Sequence, residues 1–206
     1  MNLIDCQYFP RAKNSFSFAS VMWRSIRLDN SGFSLLELLV VVAVVIILLT
    51  FTMPQIGRYW QAYQLDSATQ TLTSNLEFAR YTAISRSSLV TVSFHTVARY
   101  YEIFEDSNGN GTRDGAENLM GTYSLPPQVN FSGTGLLGPP GNPTDVVLDP
   151  VTFSDDRLVF NYRGKIQNGM GCIYLKNDFN DATGISFNIA GRMKVYSWNS
   201  STHTWK

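Results

Sequence analysis

From Phe33 to Met53 the chain reads FSLLELLVVVAVVIILLTFTM, and of these 21 residues only Ser34, Glu37, Thr50 and Thr52 are not apolar. About 20 apolar residues, each rising about 1.5 Å, span a hydrocarbon core of about 30 Å, so the run predicts one transmembrane helix. A secretory signal peptide is the rival, since the uninterrupted stretch Leu38 to Leu49 has twelve residues; no small-residue cleavage site follows it, and Pro54 and an amphipathic stretch do. After Pro54 the apolar positions Ile56, Trp60, Tyr63, Ala68, Leu72, Leu76, Ala79 and Ala83 recur mostly every three or four residues, as on one buried face of a helix. Phe33 to about Arg86 then forms one rod on the order of 80 Å long, ending at Ser87 and Ser88.

Beyond Leu89 the pattern becomes strand-like: LVTVSF, YYEIF, RLVFNY, CIYL, GISFNI and RMKVYSW are separated by Gly, Pro, Asn and Asp clusters. The expected fold is α+β, a long N-terminal helix on a mostly antiparallel β domain. SGTGLLGPPGNPTD, between 132 and 145, is too rich in Gly and Pro for regular structure and reads as an exposed loop. The expected organisation is a segment 1–32 ahead of the apolar run, a membrane helix over 33–53, its amphipathic continuation over 54–87 and a β-rich domain over 88–206.

Charge changes the picture in two ways. With 16 basic and 16 acidic residues and a pI near 6.7, the chain has no overall field for coating a polyanion. Its 44% hydrophobic content and balanced charge also exclude wholesale disorder. Locally, Lys13, Arg24 and Arg27 precede the apolar run and only Arg58 closely follows it, which places the N-terminus in the cytoplasm and the bulk of the chain outside.

Glu37 is the odd residue, a carboxylate among leucines that needs a partner or a function. Gly32 precedes Phe33, and Glu37 is the fifth residue counted from Phe33. SGFSLLELLVVVAVVIILLTFTMP resembles the N-terminus of the type IV pilin and pseudopilin superfamily. That resemblance implies cleavage between Gly32 and Phe33 by a prepilin peptidase and N-methylation of Phe33. It further implies a Glu37 that pairs with the N-terminal amine of a neighbouring subunit, and a helix proline at Pro54. Two buried unlike charges compensate each other where either alone is penalised, so such a pair sets register. The leader is long, and initiation at Met22 would shorten it while keeping Arg24 and Arg27. Processing removes Cys6 and leaves Cys172 alone, a small buried hydrophobe in a strand.

The order of long helix, β domain, YRGKI and AGRMKVY resembles the type II secretion protein H and FimT-like minor pilin branch. It implies a minor pseudopilin in an inner-membrane and periplasmic assembly, with the prepilin peptidase and other pilins as partners. Two local motifs add chemistry. In EDSNGNGTRDGAEN, Asp106, Asn108, Asn110, Thr112 through its backbone, Asp114 and Glu117 stand at positions one, three, five, seven, nine and twelve of a calcium loop, with Gly111 at the turn. A polar hairpin built on Asn-Gly turns is the equal alternative. Gly191-Arg192-Met193-Lys194 resembles the G-R-x-R element of DNA-binding FimT-like pilins, and Trp198, His203, Trp205 and Lys206 follow it. Arg192, Lys194 and Lys206 are therefore the candidate DNA contacts of the alternative reading, DNA uptake. Residues 33–206 hold 12 basic and 14 acidic residues, a net of minus two, which favours assembly. With His95 and His203 as its two histidines and no nucleophile elbow, metal-type spacing or phosphate loop, no enzyme is expected. A membrane-anchored lectin or hydrolase that borrows the N-terminal anchor stands as a third class.

Overall fold

The computed structural model describes residues 34–138, 146–200 and 202–206, with the side chains of 51–55 left aside. The chain divides into two compact units, one ending at Val45 and one running from Ile46 to Lys206. In the first, Ser34 to Val45 is helical from Leu35 onward and its Leu and Val side chains are exposed. The same helix, α1 (Leu35–Arg86), includes Ile46 to Arg86 of the second unit, Pro54 among them.

In the second unit α1 buries Leu65, Ala68, Leu72, Leu76, Ala79 and Ala83 in one core cluster with residues of two antiparallel sheets. Ile56, Trp60 and Tyr63, expected on that same face, are instead 59, 58 and 66% exposed, and the buried stripe starts at Leu65. The reason lies in the spacing. Tyr63 to Ala68 is a step of five residues, which turns a helix by about 500° and so moves the stripe about 140° around the axis. Ile56, Tyr59, Trp60 and Tyr63 form a separate apolar band, roughly opposite the core-facing stripe. The helix ends where Ser87 takes φ 54°, with Ser88 N–H bonding Ala83 O at 3.2 Å and Ser87 N–H bonding Ile84 O at 3.3 Å, a Schellman closure made without glycine.

The nine strands among the described residues are β1 (Leu89–His95), β2 (Tyr100–Asp106), β3 (Leu119–Ser124), β4 (Val129–Phe131), β5 (Arg157–Phe160), β6 (Gly171–Asn177), β7 (Ala182–Phe187), β8 (Met193–Asn199) and β9 (Thr204–Trp205). They form one sheet in the order β3-β2-β1-β5 and another in the order β4-β6-β7-β8-β9. Every strand pairing is antiparallel, and the fold is the expected α+β arrangement. All six expected strand runs form strands; β3, β4 and β9, short and without clean alternation, went unmarked. In β1 the buried Val90, Val92 and Phe94 alternate toward the helix. Polar pegs fix the helix on the sheets: Thr69 and Thr183 hydroxyls meet at 2.8 Å, and Asn75 Nδ2 donates to Tyr101 Oη at 2.7 Å. Burial pushes the Tyr101 hydroxyl up to about 12, against the lowering effect of the Asn75 amide.

The far face of the second sheet is covered as well. Leu136, Val147, Cys172, Tyr174 and Ala182 form a second cluster, with Trp198 and Trp205 packed on it. The stretch expected to be an exposed loop is thus partly core: Leu136 is 1% exposed, Val147 N–H bonds Leu136 O at 3.1 Å, and Trp205 Nε1 donates to Leu137 O at 3.0 Å. A large apolar ring at the chain's end needed cover, and Leu136 with its neighbours supplies it; 139–145 lie outside the described residues. Cys172 is buried, and burial pushes its thiol up.

The two helix faces predict different costs. Leu72→Ala should lower domain stability by about 3 to 5 kcal/mol, whereas Tyr63→Ala should change it by less than about 0.5 kcal/mol. Urea unfolding midpoints check both, and equal losses would contradict the phase change.

Candidate functional site

Of the N-terminal motif, Gly32 and Phe33 lie outside the described residues, and Glu37 stands in the first turn of α1. Leu35 to Leu49 presents thirteen Leu, Val and Ile side chains, each at least 46% exposed, around that carboxylate. Among the described residues no helix is long and apolar enough to cross a membrane. The described side chains of the expected span end at Thr50, short of its full extent to Met53.

The loop 106–117 connects β2 to β3 and is held by its own polar groups. Asp106 is 2% exposed; its Oδ1 accepts Gly109 N–H at 2.7 Å, and its Oδ2 accepts Gly111 N–H at 2.9 Å and the Thr91 hydroxyl at 3.1 Å. Glu117 accepts the N–H groups of Ser107 and Asp114, each at 3.0 Å, which ties the two ends of the loop together. Asp114 Oδ2 accepts Asn108 Nδ2 at 2.6 Å and Asn110 Nδ2 at 3.0 Å, while Asn110 Oδ1 takes the N–H of Thr112 at 2.7 Å. Gly109 and Gly111 both have φ 72°, the backbone bends that let the chain wind round Asp106. Among the described residues no group of three or more His, Cys, Asp or Glu side chains is placed to hold a metal. The backbone donors satisfy the buried Asp106 carboxylate, which shapes the loop beside Arg157 and a cleft of about 210 Å³.

The expected DNA contacts divide. Arg192 and Lys206 are exposed, and Lys194 Nζ lies 4.6 Å from the centre of the Tyr196 ring. The aromatics that were to stack on bases are committed elsewhere. Trp205 packs against Tyr174 at 5.7 Å and Trp198 at 5.0 Å, and its Nε1 also reaches Gly138 O at 2.9 Å. His203 meets the Trp198 ring edge-on at 6.1 Å. His95 stacks on Tyr100 at 4.2 Å with its Nε2 3.3 Å from Glu102 Oε1.

The glycine of the Gly191-Arg192 element has a structural task. Gly191 has φ 76°, and a Cβ there would stand 2.2 Å from Gly164 O, so two turns from distant parts of the chain lie against each other. Arg80 of α1 clamps both, donating from Nε to Gly164 O at 2.9 Å and from Nη2 to Ala190 O at 3.4 Å. Each turn is built alike. Asn161 and Asn188 begin Asn-x-x-Gly sequences; Gly164 N–H bonds Asn161 O at 2.8 Å and Gly191 N–H bonds Asn188 O at 2.9 Å. The Asn161 side chain accepts Arg163 and Lys165 N–H, and that of Asn188 accepts Arg192 N–H. Arg80, Arg163 and Lys165 were not marked from sequence. The repeated Asn-x-x-Gly followed by a cation was the available signal, but nothing in it says that the two turns touch.

Comparison with known proteins adds the following. Residues 68–191 match the family described as Type II transport protein GspH. Residues 27–53 match the prokaryotic N-terminal methylation motif. No curated protein matches the chain. The minor pseudopilin EpsH of the Vibrio cholerae type 2 secretion system is similar at 12% identity and TM-score 0.43, covering 65% of this chain and 97% of that one. The Pseudomonas aeruginosa PAO1 type IV minor pilin FimU is similar at 12% identity and TM-score 0.47, covering 72% of this chain and 96% of that one.

The loop analysis predicts a structural role for Asp106. Asp106→Ala strands two backbone N–H groups and a hydroxyl and should cost about 1 to 3 kcal/mol. Urea unfolding in EDTA, which excludes any divalent cation, checks this; an unchanged midpoint would contradict it.

Proposed function

The chain belongs to the Type II transport protein GspH family, and from that premise we propose that it is a minor pseudopilin whose work is assembly into an envelope filament rather than catalysis. The observation that carries this reading is the exposed apolar surface from Leu35 to Leu49 with Glu37 set in it. Thirteen such side chains, each about half exposed, forgo on the order of 10 to 20 kcal/mol of burial, so the helix needs lipid or other helices around it. One surface then serves twice, held in the bilayer before assembly and against neighbouring helices after it.

In this proposal a prepilin peptidase cuts between Gly32 and Phe33, inside the matched methylation motif, and the new amine is methylated. Before assembly the chain is single-pass in the inner membrane with its N-terminus cytoplasmic, and the β domain is periplasmic. The basic residues ahead of the apolar run support that orientation. Glu37 pairs with the N-terminal amine of an adjacent subunit and fixes its axial position. The outward band of Ile56, Tyr59, Trp60 and Tyr63 gives neighbouring helices a further apolar surface. Secretion is favoured over DNA uptake because Trp198 and Trp205, the tryptophans that would stack on bases, are spent on packing.

Two experiments test this. Mass spectrometry after coexpression with a prepilin peptidase should find a chain that starts at methylated Phe33, and an uncut chain would remove the processing step. Glu37→Leu should leave membrane insertion intact while abolishing incorporation into filaments; normal incorporation would refute the pairing.

A further inference from the structure

The two Asn-x-x-Gly turns place cations side by side that are far apart in sequence. Ile166 N–H bonds Ile189 O at 3.2 Å, Gly191 packs on Gly164 O, and Arg80 bonds both turns. Arg163, Lys165 and Arg192 flank these contacts by one residue each, and all three are exposed. No Asp or Glu occurs between Leu158 and Asn177, or anywhere after Asp181. Glu77, one turn before Arg80 on α1, is the nearest acid to it in sequence. The ion pairs found among the described residues are Arg86 with Glu105, His95 with Glu102 and Arg113 with Glu102, none of which involves this group. Among the described residues, then, no ion pair offsets the positive charge of the paired turns.

Two exposed apolar side chains stand among the cations, Tyr162 at 53% and Ile189 at 56%. Arg163 lies 5.2 Å from the centre of the Tyr162 ring, which occupies one face of the one aromatic in the group. Two guanidiniums, an ammonium, a tyrosine and an isoleucine on hydrogen-bonded turns are the composition of a protein-binding surface rather than a stacking platform for bases. The charge sign selects the partner. Guanidinium groups bind carboxylates through two parallel hydrogen bonds, and a small mixed patch favours a short acidic segment with an apolar residue in it. Nucleic acid is disfavoured on two further grounds: residues 33–206 carry net minus two, so no field draws a polyanion in, and the tryptophans are packed away.

We propose that the paired turns form a docking surface for an acidic segment of another protein, read by Arg163, Lys165 and Arg192 with Tyr162 and Ile189 as apolar contacts. Arg80 is a positioning residue, since its bonds go to the backbone of both turns. The site is distinct from the helix surface that assembles the filament and stands whether or not that reading holds.

The test uses the purified full chain in detergent and a short fluorescent peptide of alternating Glu, Asp and Leu. Anisotropy should show binding that weakens with salt, and Arg163→Gln combined with Arg192→Gln should raise Kd at least tenfold, with thermal stability unchanged. Lys165→Gln, alone and in the folded parent, should raise it severalfold, and Lys206→Gln should not. Absence of binding at low salt overturns the proposal, as does binding indifferent to the turn variants. A single-stranded oligonucleotide of equal charge that binds more tightly through the same arginines also overturns it, in favour of nucleic acid.

Discussion

One stripe of six small and medium apolar residues, Leu65 to Ala83 on α1, holds the domain together. Both sheets rest on it, and the residues are graded for the task. Leu72, Leu76, Ala79 and Ala83 are wholly buried, while Leu65 and Ala68 keep a little exposure at the start of the stripe. Were the helix apolar all round, nothing would decide which side the sheets cover. The five-residue step after Tyr63 decides it, by ending one stripe and starting another on the other side. The helix can thus serve a folded domain and other surroundings at the same time without competition between them.

That step also shows what a linear pattern can and cannot reveal. Period three and four marked a helix that ends at Arg86, and strand-like runs marked six of the nine strands among the described residues. The same periodicity joined Trp60 and Tyr63 to Leu72 because gaps of three, four and five look alike when counted loosely. A helical wheel separates them without any coordinates. The misread stretch around Leu136 is different in kind. Its Gly and Pro content does forbid a regular element, but whether an irregular segment is exposed depends on what apolar surface lies next to it, and Trp205 comes almost seventy residues later.

The polar motifs were legible as chemistry but not as assignment. The spacing from Asp106 to Glu117 suits oxygen ligands wound round a cation, and in the same spacing Asp106 and Glu117 accept backbone N–H groups of the loop. Near the C-terminus, Gly191 stands next to Arg192 because a turn needs φ above zero, and the resemblance to a binding element says nothing of that need. The sequence Asn177-Asp-Phe-Asn180-Asp181 closes the same way, with Asn180 at φ 67° and Asp181 where the other two turns carry Lys165 and Arg192. One backbone device is thus used three times, and the side chain at its fifth position sets the local charge.

At Gly191 the space a Cβ would need is taken by the carbonyl oxygen of Gly164, and at Gly164 it is taken by the Ile84 side chain of α1, so both turns are closely packed. The cationic rim is therefore preorganised: hydrogen bonds from Arg80 and within each turn hold its backbone, and mainly the side-chain torsions remain to be ordered. Whatever meets it loses little configurational freedom on the protein's side, so a handful of contacts suffices for selectivity where a mobile loop would need many more.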